Sequence, residues 1–330
     1  MHIPDGYLSP ETCGVMGASM IPAWLTAGRR VRKVVTSRYV PLLALGAAYS
    51  FLVMMFNVPI PDGTTAHAVG AVLIAILLGP WAAVVAVSVA LAIQALFFGD
   101  GGVLAFGANC FNMAFVMPMV GYGIYRLVTR NAALTAPRRA FGAGLAGYCG
   151  LNASALCAAI EIGIQPALFH SANGTPLYSP FHLSQSITAM ALAHLTIAGG
   201  VELVLTAGVI AYLQRANLPV LRINHRGVPD TADLAAAPRR LGWRWGAAAL
   251  GVGGLLTPLG LLASGTAFGE SHGRTGFWRH TLLNGYDFSH GRHPAVGYIV
   301  SAFAGMAAIA AVVYAVVAFI GMLRRRQPAT

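Results

Sequence analysis

The chain has 330 residues, 57% of them hydrophobic and only 9% charged. Soluble domains carry about 25% charged residues, so this composition excludes an ordinary water-soluble globule and indicates a polytopic membrane protein. The net charge of +11 would point a soluble chain toward nucleic acid; in a membrane chain it orients the loops instead, because cytoplasmic loops collect Lys and Arg.

Cutting the apolar runs at Gly, Pro and charge clusters predicts an all-α protein of about nine helices. The first ten residues, MHIPDGYLSP, lack the basic and apolar regions of a leader and are expected in the mature protein. A first helix over 9–28 ends at the basic run RRVRK, and a second covers 38–56. A Pro/Gly loop, NVPIPDGTTA at 57–66, precedes a third helix over 67–78. That helix is short for a crossing that takes about 20 residues. Gly79-Pro80 separates it from a fourth helix over 81–98, and FFGDGG makes the next turn. A fifth helix over 106–127 leads to a basic loop, and a sixth covers 140–163. After a polar loop at 164–183 come a seventh helix over 184–213 and a charged, Pro-containing stretch. An eighth helix over 243–263, a polar loop at 264–294 and a ninth helix over 296–322 complete the order. Cys13, Cys110, Cys149 and Cys157 lie in or beside apolar helices without a CxxC pair, and read as small buried hydrophobes.

Nine crossings put the termini on opposite sides. With the N-terminus outside, 18 of the 21 basic residues fall in inner loops or at the inner C-terminus, and only Arg274, Arg279 and Arg292 face out. The asymmetry predicts an external N-terminus and a cytoplasmic C-terminus. It places Met1, His2, the 57–66 loop with His67 just beyond it, and the GDGG turn on one side of the membrane.

The N-terminus can then act as a chelator. A free α-amine, the amide nitrogen of residue 2 and the imidazole Nδ1 of His2 close a five- and a six-membered ring around one ion. Only a metal that displaces an amide proton and accepts planar nitrogen donors suits this set, which favours Ni(II), Cu(II) or Co(II). The donors must be deprotonated, so affinity falls with acidification. Three planar nitrogens leave one corner open, and His67, after Thr64-Thr65, is the candidate fourth ligand. The alternative that these residues leave open is a solvated terminal His2.

MHIPDGYLSP, NVPIPDGTTAHAVGAVL, LLGPWAAVVAVSVALAIQALFFGDGG and GANCFNMAFVMPMVGY, in this order over roughly 1–215, resemble the CbiM/NikM family. These are the substrate-binding membrane subunits of energy-coupling-factor (ECF) transporters for nickel and cobalt. The resemblance implies a near-planar site made by the terminal amine, the amide and imidazole of the second residue, and a histidine opening the third helix; here those are Met1, His2 and His67. It implies partners as well: a transmembrane coupling subunit and cytosolic ATPase subunits. The IPDGTTAH stretch looks closer to nickel-type than to cobalt-type members.

A metal-bound imidazole needs an acceptor for its other N–H. Asp5, Asn57, Asp62 and Thr65 are the outer-loop candidates, with turn formation or helix capping as the alternative for each. Glu161 and Glu202 fall within or near helices, where a charge is costly and commonly functional. Glu161 can reach water near a helix end, whereas Glu202 has other helices or His194 as partners. His272, His280, His290 and His293 in the 264–294 loop would gather metal or belong to a soluble cap. The stretch 242–330 resembles the family's small two-helix accessory component, fused here behind a cytosolic linker at 216–241. Cys13, Gly14, Gly17 and Ala18 offer a small-residue face for close helix contact.

The single lysine, Lys33, has no GxxxxGK[ST] around it, so this chain is expected to bind no nucleotide. HExxH and GxSxG are absent too. The sequence therefore reads as a non-enzymatic, multi-pass subunit of the inner or plasma membrane that captures Ni(II) or Co(II) as transported substrate, without nucleic acid. The same fold importing cobalt for cobalamin synthesis, and a self-contained secondary metal transporter, are the alternatives.

Overall fold

The computed structural model describes residues 1–34, 40–60, 63–225, 243–262, 281–288 and 293–325. Helix α1 (Pro10–Val34) and α2 (Val40–Met54) lead into a two-stranded antiparallel ribbon, β1 (Val58–Pro59) with β2 (Thr65–Ala66). Then follow α3 (Ala71–Leu78), α4 (Pro80–Phe98), α5 (106–128), α6 (Pro137–Gly163) and α7 (Leu183–Ala216). In the C-terminal region, α8 (Trp243–Leu256) tightens into a 3₁₀ turn over Thr257–Leu262, and α9 covers Pro294–Arg325. Among the described residues, four helical stretches are long and apolar enough to cross a membrane: Pro80–Phe98, Pro137–Leu168, Leu183–Ala216 and Pro294–Val316.

Local chemistry sets most of these ends. Pro80 and Pro137 stand in the first turns of α4 and α6, where a missing N–H costs nothing. Gly99, at φ 69°, closes α4 in the left-handed conformation favoured at helix ends. The basic run after Gly28 does not stop α1, since Arg and Lys are good helix formers, and the helix continues to Val34.

Small residues decide how the long helices approach. Added Cβ atoms at Gly144 and Gly147 of α6 would lie 3.0 Å from Ala207 Cβ and Thr206 Oγ1 of α7. Gly17 of α1 sits directly against Gly107 of α5, so half of the predicted small-residue face of α1 is used inside the protein, while Gly14 has open space beside it. In the C-terminal region, Gly246 and Gly253 of α8 admit Leu45 and Leu52 of α2, and Gly305 of α9 admits the Phe51 ring. The outer faces stay apolar: Leu192 and Val204 on α7 are 69% and 66% exposed, as expected of lipid-facing side chains.

A further boundary differs from the sequence expectation. The third helix starts at Ala71 rather than 67. Gly70 has φ 72°, and the Tyr49 ring occupies the space a Cβ would need there. His67 therefore lies in the loop before the helix. At eight residues, α3 rises about 12 Å, well short of the roughly 30 Å hydrocarbon core.

Among the described residues, three π-helical turns interrupt the regular helices, at Gln94–Phe98, Cys110–Val116 and His194–Ala198. Such turns often mark functional sites.

Candidate metal centre

The N-terminal segment threads into the interior instead of lying on the surface. Met1, His2 and Ile3 are buried, and each polar group of this stretch needs a partner there. Asn109 on α5 supplies two: its Oδ1 accepts from Ile3 N at 2.8 Å and its Nδ2 donates to Ile3 O at 3.0 Å. Gly102 N also donates to Ile3 O, at 2.9 Å. Asp5 Oδ1 accepts from Leu104 N and Ala105 N at 2.9 and 3.2 Å, capping the start of α5. A Cβ at Gly102 would run into that Asp5 carboxylate, so only glycine fits beneath the segment. Farther on, Ser9 N donates to Gln165 Oε1 at 3.0 Å.

These restraints deliver the terminal amine to the ribbon. Met1 N donates to Thr65 O and, at 2.8 Å, to Thr65 Oγ1. The His2 and His67 rings stack, with centroids 4.6 Å apart and planes at 27°. Val58 pairs with Ala66 in the antiparallel ribbon, and the Oδ1 of the preceding Asn57 is buried without a partner among the described residues. His67 Nδ1 lies 3.0 Å from Ala68 O. That contact assigns the ring proton to Nδ1 and leaves Nε2 as a buried lone pair, which has no partner.

Burial also sets protonation. It pushes the Met1 amine well below its usual range, against the opposing charge of Asp100. Burial lowers His2 likewise, and Asp100 offsets part of that. His67 is pushed well below the ordinary histidine range by burial first, then by the amine and His2 nearby. Burial thus favours the neutral form of all three, the form in which nitrogen binds a metal.

Asp100, in the GDGG turn, is a member of this site that the sequence expectations had only as part of a turn. Its Oδ1 lies 3.2 Å from His2 Nδ1. Burial favours the neutral ring, and among the described residues neither ring nitrogen of His2 has a hydrogen-bond partner. The Gln94 side chain faces the same ring, and its Oε1 is buried without a partner. A metal on Nδ1 would move the ring proton to Nε2 and require an acceptor for it; Gln94 Oε1 is the group at hand. His194, in the π-turn of α7, donates through Nδ1 to Met190 O at 2.8 Å, and its Nε2 is buried without a partner among the described residues.

The other expected residues divide. Thr65 holds the amine and Asp5 caps α5, whereas Asp62, His272, His280 and His290 lie outside the described residues. His293 is exposed at the start of α9. Glu161 is buried and accepts from Asn112 Nδ2 at 2.9 Å rather than reaching water. Glu202 Oε2 accepts from Val69 N and Gly70 N at 2.8 and 3.0 Å, and Oε1 from Thr206 Oγ1 at 3.2 Å. Its partners are thus the loop carrying His67, and not His194. Among the described residues no group of three His, Cys, Asp or Glu side chains is placed to hold a metal.

Comparison with known proteins places this geometry in context. Residues 2–219 match the CbiM family model, described as "Cobalt uptake substrate-specific transmembrane region". The chain is 56% identical over 270 residues to the "Fused nickel transport protein NikMN" of Rhodobacter capsulatus, covering 82% of this chain and 75% of that protein. It is 47% identical over 273 residues to the "Probable fused nickel transport protein LarMN" of Lactiplantibacillus plantarum, covering 82% and 77%. A solved structure titled as a transition metal transporter is 54% identical, with a TM-score of 0.64, over 69% of this chain and all of that one.

Proposed function

The chain belongs to the CbiM family, and from that premise we propose that it is the membrane subunit that captures Ni(II), or alternatively Co(II), for an ATP-driven ECF-type importer. Metal transport is the activity named for its relatives, and the family is one of transport proteins rather than enzymes. Nickel is put ahead of cobalt because two relatives matching 82% of the chain are named for nickel, although the family model is described for cobalt.

The observation that carries the reading is the meeting of the buried Met1 amine, the His2 ring and the unpartnered Nε2 of His67. The amine, the His2 amide nitrogen, His2 Nδ1 and His67 Nε2 would form the four-nitrogen set. Capture requires His2 Nδ1 to leave Asp100 and the amine to leave Thr65. The segment between them stays fixed on Asn109 and the Gly102 turn, so little chain entropy is lost on binding. A site closed by four protein nitrogens leaves no open position for substrate chemistry, which favours transport over catalysis. Asp5 and Thr65 anchor the segments that carry these donors, and the region 242–330 is the fused accessory unit, joined through the cytosolic linker 216–241. A transmembrane coupling subunit and cytosolic ATPases would drive release to the inside, with the N-terminus facing out. The seat of the complex would be the inner or plasma membrane.

The test is Ni(II) binding to purified protein with its natural terminus, against a variant carrying one extra N-terminal residue. The extension removes the amine from its chelate ring and is expected to abolish tight binding. Equal affinity in the two proteins would rule the site out.

A further inference from the structure

The CbiM family model ends at residue 219, yet the metal centre is closed by a residue beyond it. Each oxygen of Asp100 has a separate duty. Oδ1 faces His2 Nδ1; Oδ2 accepts from the Tyr286 hydroxyl at 2.5 Å and lies 3.5 Å from Gln94 Nε2. An O–H···O⁻ bond of that length is of the strong, charge-assisted kind. Gln94 Nε2 also donates to the Tyr286 hydroxyl oxygen at 2.9 Å. We propose that Tyr286 is a positioning residue for His2, and that through the Tyr286–Asp100 bond the C-terminal region completes the metal centre.

The surroundings of Tyr286 are built to keep it there. Its ring stacks on Phe98 at 5.1 Å and meets Phe51 and Tyr298 at 6.3 and 5.6 Å. Leu282 N and Leu283 N both donate to Phe97 O, at 3.0 and 3.1 Å. Phe97 lies in the π-turn that ends α4, where terminal carbonyls lack helical partners. Gly285 and Tyr286 have φ of 63° and 65°, a conformation uncommon for a tyrosine and held by Ser301 Oγ donating to Tyr286 O at 3.0 Å. The simpler account is a packing residue whose hydroxyl takes the nearest acceptor. It leaves unexplained why the acceptor is the carboxylate whose other oxygen touches His2.

The consequence follows from what capture demands. When His2 Nδ1 turns to the metal, the Asp100 carboxylate loses one neighbour and keeps Tyr286 and Gln94. Without the phenol, Asp100 holds His2 more strongly in the empty protein and is less well satisfied in the loaded one. Both effects weaken binding.

The inference rests on the metal site proposed above, and the experiment separates the two. Ni(II) titrations of the full-length protein, followed by the absorption band of the four-nitrogen complex, compare wild type with Y286F, D100A and the double variant. Y286F keeps the aromatic packing and is expected to bind about 10–100-fold more weakly, the usual cost of losing an outer partner. Its band should stay in place, because the donors are unchanged. In the D100A background the Tyr286→Phe change should add no further loss. Wild type that fails to bind would remove the site itself. Wild type that binds while Y286F matches it, or a Y286F loss that persists undiminished in D100A, would overturn the role of Tyr286.

Discussion

His67 owes its chemistry to a one-residue hydrogen bond. By engaging its own neighbour's carbonyl through Nδ1, it presents Nε2 to the space beside the amine and His2, and nothing among the described residues satisfies that lone pair. A buried acceptor without a partner costs about 1–3 kcal/mol, so the empty site carries a standing penalty that a metal relieves. His67→Ala is expected to weaken Ni(II) binding by on the order of 100-fold or more, beyond the loss of an outer partner alone. Wild-type affinity in a titration of that variant would remove His67 from the ligand set. The meeting of the His2 and His67 rings could be anticipated, because the terminal motif and the TTAH stretch are both distinctive and were placed on one side of the membrane. The roles of Asn109 and Asp100 could not: their partners are Ile3 and His2, about a hundred residues away along the chain, and an Asn in an apolar run or an Asp in a Gly-rich turn has ordinary local explanations.

At the scale of elements, α7 governs the loop that carries His67. Both backbone donors that follow Ala68 end on one oxygen of Glu202, which frees the chain to turn at Gly70 before α3 begins. Periodicity alone extends α3 back to 67, since His-Ala-Val-Gly continues an apolar run; the buried carboxylate that captures those amides lies more than 130 residues later. Glu202→Ala leaves two buried N–H groups unpaired, at about 1–3 kcal/mol each, and is expected to lower both the melting temperature in detergent and the Ni(II) affinity. Glu202→Gln retains an oxygen with two lone pairs for the same donors and should stay near wild type in both measurements. A Glu202→Ala protein as stable and as tight-binding as wild type would show that the loop holds itself.

For the whole molecule, the helix order was readable from hydropathy because each long helix is an apolar run bounded by Pro, Gly or charge. The docking of residues 281–288 was not readable, since it depends on Tyr286 and on a carbonyl exposed by a π-turn. Orientation remains an inference from charge, and labelling tests it. In a background without the four native cysteines, Asn173→Cys, in an exposed turn after α6, should react in intact cells with a membrane-impermeant thiol reagent. Arg130→Cys, exposed after α5, should react only in opened membranes. The reverse pattern would invert the protein.

Covalent continuity between the two regions has a consequence of its own. The Tyr286 segment is held by two main-chain hydrogen bonds, one phenol and a few aromatic contacts, beside the packing of α8 and α9 on α2. Carried on the same chain, the Tyr286 segment meets its docking surface at an effective concentration that can reach the millimolar range. Occupancy then no longer depends on how much of a second subunit the cell makes, and every copy that leaves the ribosome brings its own closure for the site.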